Sequence, residues 1–338
     1  MTALTFRRGG VSLRVERQTL VLAAVMVVLI VGLMVLGLCY GASWMSPARV
    51  FDALSGGRGG VYVREWRLPR VVATAVFGMA LGAAGAIFQN VTRNPLGAPD
   101  VIGLDAGAYT GALFAFTVLS GTAVQLATGS IIGGLVVAGI VYALSLGGGL
   151  SGFRLIVIGI ALNAMINAIN SWIILRVSLD VAIAATGWNQ GSLNGLSWGK
   201  IQFPIVIIVA LLALLALRSY TMHQDSLGAA LSVTTGVNAR RLRLHLVLLG
   251  VGLTATVTAV CGPIAFIALS APQIGRRLAR APGIPLLPAA FTGAVLLLAS
   301  DLVAQILLAP VSLPVGVVTT AVGGCYLIWL LSKEVRRR

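Results

Sequence analysis

Charge is what this chain has least of. Only 10% of its 338 residues are Asp, Glu, Lys or Arg, against roughly 25% in a soluble domain. So few charges could not cover a soluble protein of this length, so its main solvent is lipid. Its lysines are Lys200 and Lys333 alone, and neither stands in a Gly-x4-Gly-Lys-Ser/Thr context. Nucleotide binding through a P-loop is thereby excluded. The histidines, His223 and His245, and 9 acidic residues scattered singly leave no metal cluster and no acid–base pair. Gly195-Leu-Ser-Trp-Gly199 has the spelling of a hydrolase elbow, but no strand pattern precedes it and the histidines fall near the opposite membrane face. Cys39, Cys261 and Cys325 lie in or beside apolar runs, without disulfide or metal-ligand spacing.

What is abundant is apolar sequence, at 58% of residues. Hydropathy predicts spans at about 20–40, 71–89, 101–119, 122–146, 155–175, 201–217, 244–261, 264–274, 286–308 and 314–332. The expected fold is therefore all-α: one polytopic membrane domain over 1–338 with about ten transmembrane helices. The third and eighth stretches are weak, and the eighth is too short to cross as a straight helix. The first run is longer than a signal-peptide core, so it is expected to stay as a span.

The net charge of +15 would suggest nucleic acid in a soluble protein. Here the cations sit between apolar spans and at the termini, where they act as topology signals and contacts to lipid headgroups; no nucleic-acid partner is expected. Placing both termini in the cytoplasm puts most of the 24 cations inside, including Arg93, Arg154, the 218–243 loop and Arg276–Arg280. A cluster stays outside: Arg49, Arg58, Arg64, Arg67 and Arg70. Headgroup anchoring would account for it, and so would an acidic partner.

Small residues recur at four-residue spacing, as Gly78-x3-Gly82 and Gly103-x3-Gly107-x3-Gly111, a pattern for close helix packing. Polar residues at membrane depth are rarer. Asn163, Asn167 and Asn170 share one helix face, and Gln89 and Asn90 stand at the inner end of the second span. Such amides face another helix or a watery cavity. Asp301 in the ninth span, with Gln305 one turn on, reads as a hydrogen-bonded structural acid rather than a proton relay.

Four ordered motifs carry a resemblance. They are Arg67-Leu-Pro-Arg70 followed by Arg93-Asn94-Pro95-Leu-Gly-Ala-Pro-Asp100, then Trp188-x2-Gly-Ser192-Leu193, then Gly262-Pro-Ile-Ala-Phe-Ile, and Leu313-Pro-Val-Gly-Val-Val-Thr319. The chain resembles the permease subunits of vitamin B12 and ferric-siderophore ABC importers. Through Glu65–Arg70 and Leu193–Leu196 it looks most like those for ferric enterobactin.

The resemblance implies a type II importer permease in a bacterial cytoplasmic membrane, not an enzyme. It implies a second permease subunit, expected to be non-identical, two ATPase subunits inside and a substrate-binding protein outside. ATP and Mg would act on the ATPase, and no cofactor would be held by this chain. It assigns binding-protein docking to Arg67 and Arg70. It puts Trp188, Ser192 and Leu193 at the outer end of the pathway; the amides at membrane depth, Gln89, Asn90, Asn163, Asn167 and Asn170, are expected to line the rest because of their polar character, not the resemblance. ATPase coupling falls to Leu227, Gly228, Gly236 and Val237 in the 218–243 loop, and a cytoplasmic motif to Arg93, Asn94, Pro95 and Asp100. Two other readings stay open: an ion-coupled secondary transporter, and an ABC permease for haem or cobalamin.

Overall fold

A computed structural model describes all residues except 1, 2, 9, 10, 42, 43, 58, 120, 146–151, 227–233, 235, 282, 284 and 336–338. Each of the ten predicted stretches is helical. The helices are α1 (Arg17–Cys39), α2 (Pro47–Leu54), α3 (Leu68–Thr92), α4 (Leu104–Val118), α5 (Ala123–Ser145), α6 (Gly152–Ile174), α7 (Leu179–Asn189), α8 (Trp198–Ser226), α9 (Ala239–Cys261), α10 (Ile267–Ala279), α11 (Leu286–Ile306) and α12 (Val315–Val335). One π-helical turn, Tyr62–Arg67, leads into α3. A short antiparallel hairpin, Ala3–Arg8 with Val11–Glu16, precedes α1; it, α2 and α7 were not expected from hydropathy.

Among the described residues, seven helices are long and apolar enough to cross a membrane: α1, α3 with its leading turn, α5, α6, α8, α9 and α11. They divide by burial. The apolar stretch of α3 is 83% buried, whereas those of α1 and α8 are each 17% buried. Helix α3 owes its central place to small residues. A Cβ at Gly78 would lie 2.5 Å from the Gly293 carbonyl oxygen, so α3 and α11 meet backbone to backbone. Gly107 and Gly111 of α4 meet Gly133 and Gly129 of α5 in the same way.

Helices α4 and α10 are short because the chain before each turns back into the protein. Helix α3 ends at Arg93, in the left-handed region at φ 50°. The following segment climbs until Gly103 (φ 87°) starts α4 against Asn163, the middle residue of α6. Fifteen residues from there span only ~22 Å, against ~30 Å of hydrocarbon. On the other side, Gly262 ends α9 and Phe266 (φ 68°) opens the 13-residue α10. Irregular backbone survives at such depth only where protein satisfies its polar groups. Here the Ser192 amide donates to the Cys261 carbonyl (2.7 Å) and the Gly316 amide to the Gly191 carbonyl (3.1 Å).

One expectation is corrected. The 218–243 segment is not a long loop: α8 continues to Ser226 and α9 starts by Ala239. Nothing between Arg218 and Ser226 breaks a helix, and Asn238 caps α9 by accepting the Arg241 amide at 3.1 Å.

Candidate functional site

Three of the motifs noted in sequence meet in space. The stretch after α7, the break between α9 and α10 and the start of α12 are joined by the two backbone hydrogen bonds just described. Gly191 is pressed on the Pro263 carbonyl so closely that no side chain fits. At their junction lies a cleft of about 250 Å³, lined by Asp100, Asp105, Asn163, Asn167, Asn189, Gln190, Pro263, Ala265, Gly316 and Thr320. The N-termini of α4, α10 and α12 all border it.

Each helix N-terminus carries roughly half a positive charge. Two carboxylates stand where these charges gather. Asp100 accepts the Phe266 amide (3.3 Å) at the head of α10 and its neighbour's amide at Val101 (3.0 Å). Asp105 lies in the first turn of α4. The two acids share the cleft lining with neutral amides. Asn167 donates to the Asn163 side-chain oxygen at 2.8 Å, and both line the opening.

The remaining predicted pathway residues lie elsewhere. Asn170 is 2% exposed; it donates to the Ala106 carbonyl (3.1 Å) and accepts from Thr110 (2.8 Å). The amide face of α6 thus opens at Asn163 and Asn167 but packs on α4 at Asn170, so this amide bonds a neighbouring helix rather than lining the cleft. Gln89 is fully buried, donating to the Leu269 carbonyl (3.0 Å) and accepting from Gln273, so it ties α3 to α10. Asn90 returns to its own helix, at the Ala86 carbonyl (2.9 Å). Trp188 stacks on Tyr109, with ring centres 6.4 Å apart, fixing α7 on α4. Ser192 accepts the Asn194 amide (3.2 Å), and Leu193 is buried.

Sequence reasoning missed Asp105 and Gln190. A carboxylate opening a weak, short apolar run was the available signal for Asp105. For Gln190 there was none beyond its place in the Trp188 motif.

At the opposite end of the bundle from Arg93 is a larger chamber of about 810 Å³. Its lining includes Tyr40, Tyr62, Trp66, Arg67, Arg70, Leu193 and Gln305. Both arginines are tethered. Arg67 donates to the Leu38 (2.8 Å) and Cys39 (3.1 Å) carbonyls, which end α1 with no helical partner of their own. Arg70 grips Asp301 with two nitrogens, Nε to Oδ2 at 3.0 Å and Nη2 to Oδ1 at 2.7 Å, and Gln305 donates to the same carboxylate at 2.9 Å. Asp301 is therefore the buried partner of Arg70.

At the inner end, Arg93 stands 4.0 Å from Asp225. Asn94 accepts the Leu96 amide (2.9 Å), closing a turn, and the Pro95 carbonyl accepts from Gln273 (3.4 Å). Asp100 was expected with this cytoplasmic group. It sits instead beside the mid-membrane cleft, because the segment after Pro95 climbs back inside. Of the coupling residues, Leu227 and Gly228 lie outside the described residues. Gly236 turns the chain at φ 76° and Val237 is half-buried, packed on the core.

Comparison with known proteins is consistent over nearly the full length. The FecCD transport family matches residues 23–333. The ferric enterobactin transport system permease protein FepG of Escherichia coli (strain K12) is 43% identical, covering 96% of this chain and 99% of that protein. The vitamin B12 import system permease protein BtuC of Salmonella paratyphi A is 32% identical, covering 89% and 91%. Among solved structures, an inward-facing metal-chelate type ABC transporter superposes with a TM-score of 0.81 at 25% identity, over 92% of this chain and 98% of that one.

Proposed function

Because this chain belongs to the FecCD transport family, we propose that it is the transmembrane subunit of an ATP-driven importer whose cargo is a ferric siderophore. The observation that carries this reading is the 43% identity, over nearly all of both chains, to a ferric enterobactin permease. The chain is a membrane-embedded transport subunit, not an enzyme. In this reading an external binding protein delivers the cargo, and two separate ATPase subunits hold ATP and Mg. The membrane is a bacterial cytoplasmic one, with both termini inside.

In this reading the two cavities divide the labour. The outer chamber presents the guanidinium groups of Arg67 and Arg70, held in place by α1 and Asp301, and these receive acidic residues of the binding protein. Asn163 and Asn167 offer the cargo weak, displaceable hydrogen bonds, since tight binding in mid-membrane would trap it. A second, non-identical permease chain covers the exposed faces of α6 and α12 and closes the cleft. ATP-driven closure of the ATPases moves the link around Gly236 and Val237, and helices tilt as rigid bodies to switch access.

The test is uptake into proteoliposomes holding this chain, its sister permease and the ATPase, with the binding protein added outside. ATP-dependent uptake of ferric enterobactin, exceeding that of haem and cobalamin, is expected. Uptake by this chain alone, driven by a proton gradient without ATPase, would overturn the assignment. For docking, Arg67→Glu should lower uptake at limiting binding protein about tenfold while the ATPase still assembles; unchanged uptake refutes that role.

A further inference from the structure

The inner ends of α3, α8, α9 and α10 gather Arg93, Arg243 and Arg276 around a polar cleft of about 290 Å³, in which Asp225 is the acidic residue. Among the described residues, one carboxylate thus shares the cleft lining with three guanidinium groups. The cleft shares Asn90, Met222 and Gly283 with an apolar groove of about 560 Å³ between α3, α8 and α11. Met79, Leu212, Leu215, Leu286, Leu287 and Phe291 wall that groove. Leu214 and Leu217 on the neighbouring surface of α8 are exposed, which marks this side as one that acyl chains cover.

We propose that groove and cleft together bind one anionic phospholipid, with an acyl chain along the groove and the phosphate among the three arginines. The charge argument selects the headgroup. Each basic residue near a membrane surface attracts an anionic lipid by about 1 kcal/mol, whereas the ammonium of a zwitterionic lipid cancels most of that attraction. The groove selects a lipid over a soluble anion, which has no use for an apolar wall beside its site. The site lies at the membrane end that the charge distribution assigns to the cytoplasm, so the lipid belongs to the inner leaflet. Bound there, it would lock α8 to α3 and α11 just above the link to α9.

The test uses the full chain with its sister permease, delipidated in detergent, with and without the ATPase subunits, and retained lipid is counted by native mass spectrometry. The probes are phosphatidylglycerol, phosphatidylcholine and inorganic phosphate. Phosphatidylglycerol should be retained in preference, and each of Arg93→Gln, Arg243→Gln and Arg276→Gln should lower its retention roughly fivefold without changing that of phosphatidylcholine. Ala216→Trp fills the groove from the exposed face of α8, leaves the core untouched, and should expel both lipids. Equal retention of the two lipids, or a preference that survives the arginine variants, overturns the proposal. Competition by inorganic phosphate with no effect of Ala216→Trp would mean a simple anion site and also overturns it. Displacement of the lipid by the ATPase subunits would mark the cleft as a protein contact and overturn it equally.

Discussion

The outer chamber and the mid-membrane cleft both border charged side chains, but of opposite sign: arginines line the chamber and aspartates the cleft. In the chamber, cations are fixed by local partners and still line the cavity: Arg67 on the end of α1 and Arg70 on Asp301. In the cleft, acidic side chains stand at helix N-termini and share the lining with the neutral amides of Asn163, Asn167, Asn189 and Gln190. A surface that captures a partner benefits from fixed charge.

The largest effect should come from breaking the chamber. Asp301→Ala strands a largely buried guanidinium, which costs about 3–5 kcal/mol. The expected result is little protein in the membrane and a sharply lower unfolding midpoint in detergent, whereas wild-type stability would mean that Arg70 finds another partner. Breaking the cleft should cost less. Asp100→Ala leaves the Phe266 amide without its carboxylate, about 1–3 kcal/mol, and α10 should show faster amide exchange at its first turn. Smaller again is Asn170→Ala, about 1.2 kcal/mol for two interhelical hydrogen bonds at about 0.6 each, with uptake preserved. The finest probe costs almost nothing. On a background lacking Cys39, Cys261 and Cys325, cysteines at 163 and 167 should react with water-soluble thiol reagents while one at 170 stays protected. Uniform protection of all three would erase the distinction between cleft and packing face.

Much of this was legible in sequence, and the failures share a cause. Period and composition located every long helix, and the cost of an amide in hydrocarbon singled out Asn163 and Asn167. Hydropathy measures length along the chain, not depth in the membrane. It therefore could not tell that α4 begins halfway up, or that Asp100 climbs with it away from Arg93. Nor does it pair residues far apart: Asp301 read as a hydrogen-bonded acid, but Arg70, its partner 231 positions away, carried no mark of it. Asn170 looked like Asn163 because periodicity assigns a face without naming what that face meets. Polar composition made 218–226 read as loop, although nothing in it stops a helix.

Helix α8 has 29 residues, about 43 Å of rod against ~30 Å of hydrocarbon. Its outer end is pinned where the Trp198 indole donates to the Arg64 carbonyl at 2.8 Å. Its inner end runs to Ser226, where the link to α9 begins. Between the two ends Ile201, Ile208, Leu215 and Met222 are buried in the core, so the rod tilts with its neighbours, and its length converts distance into angle. A displacement of one helical turn at the tip, ~5.4 Å, becomes a tilt of only about 7° at the pinned end. A modest stroke by the ATPases could thus reach the outer face as a small change of slope, with the chamber as fulcrum.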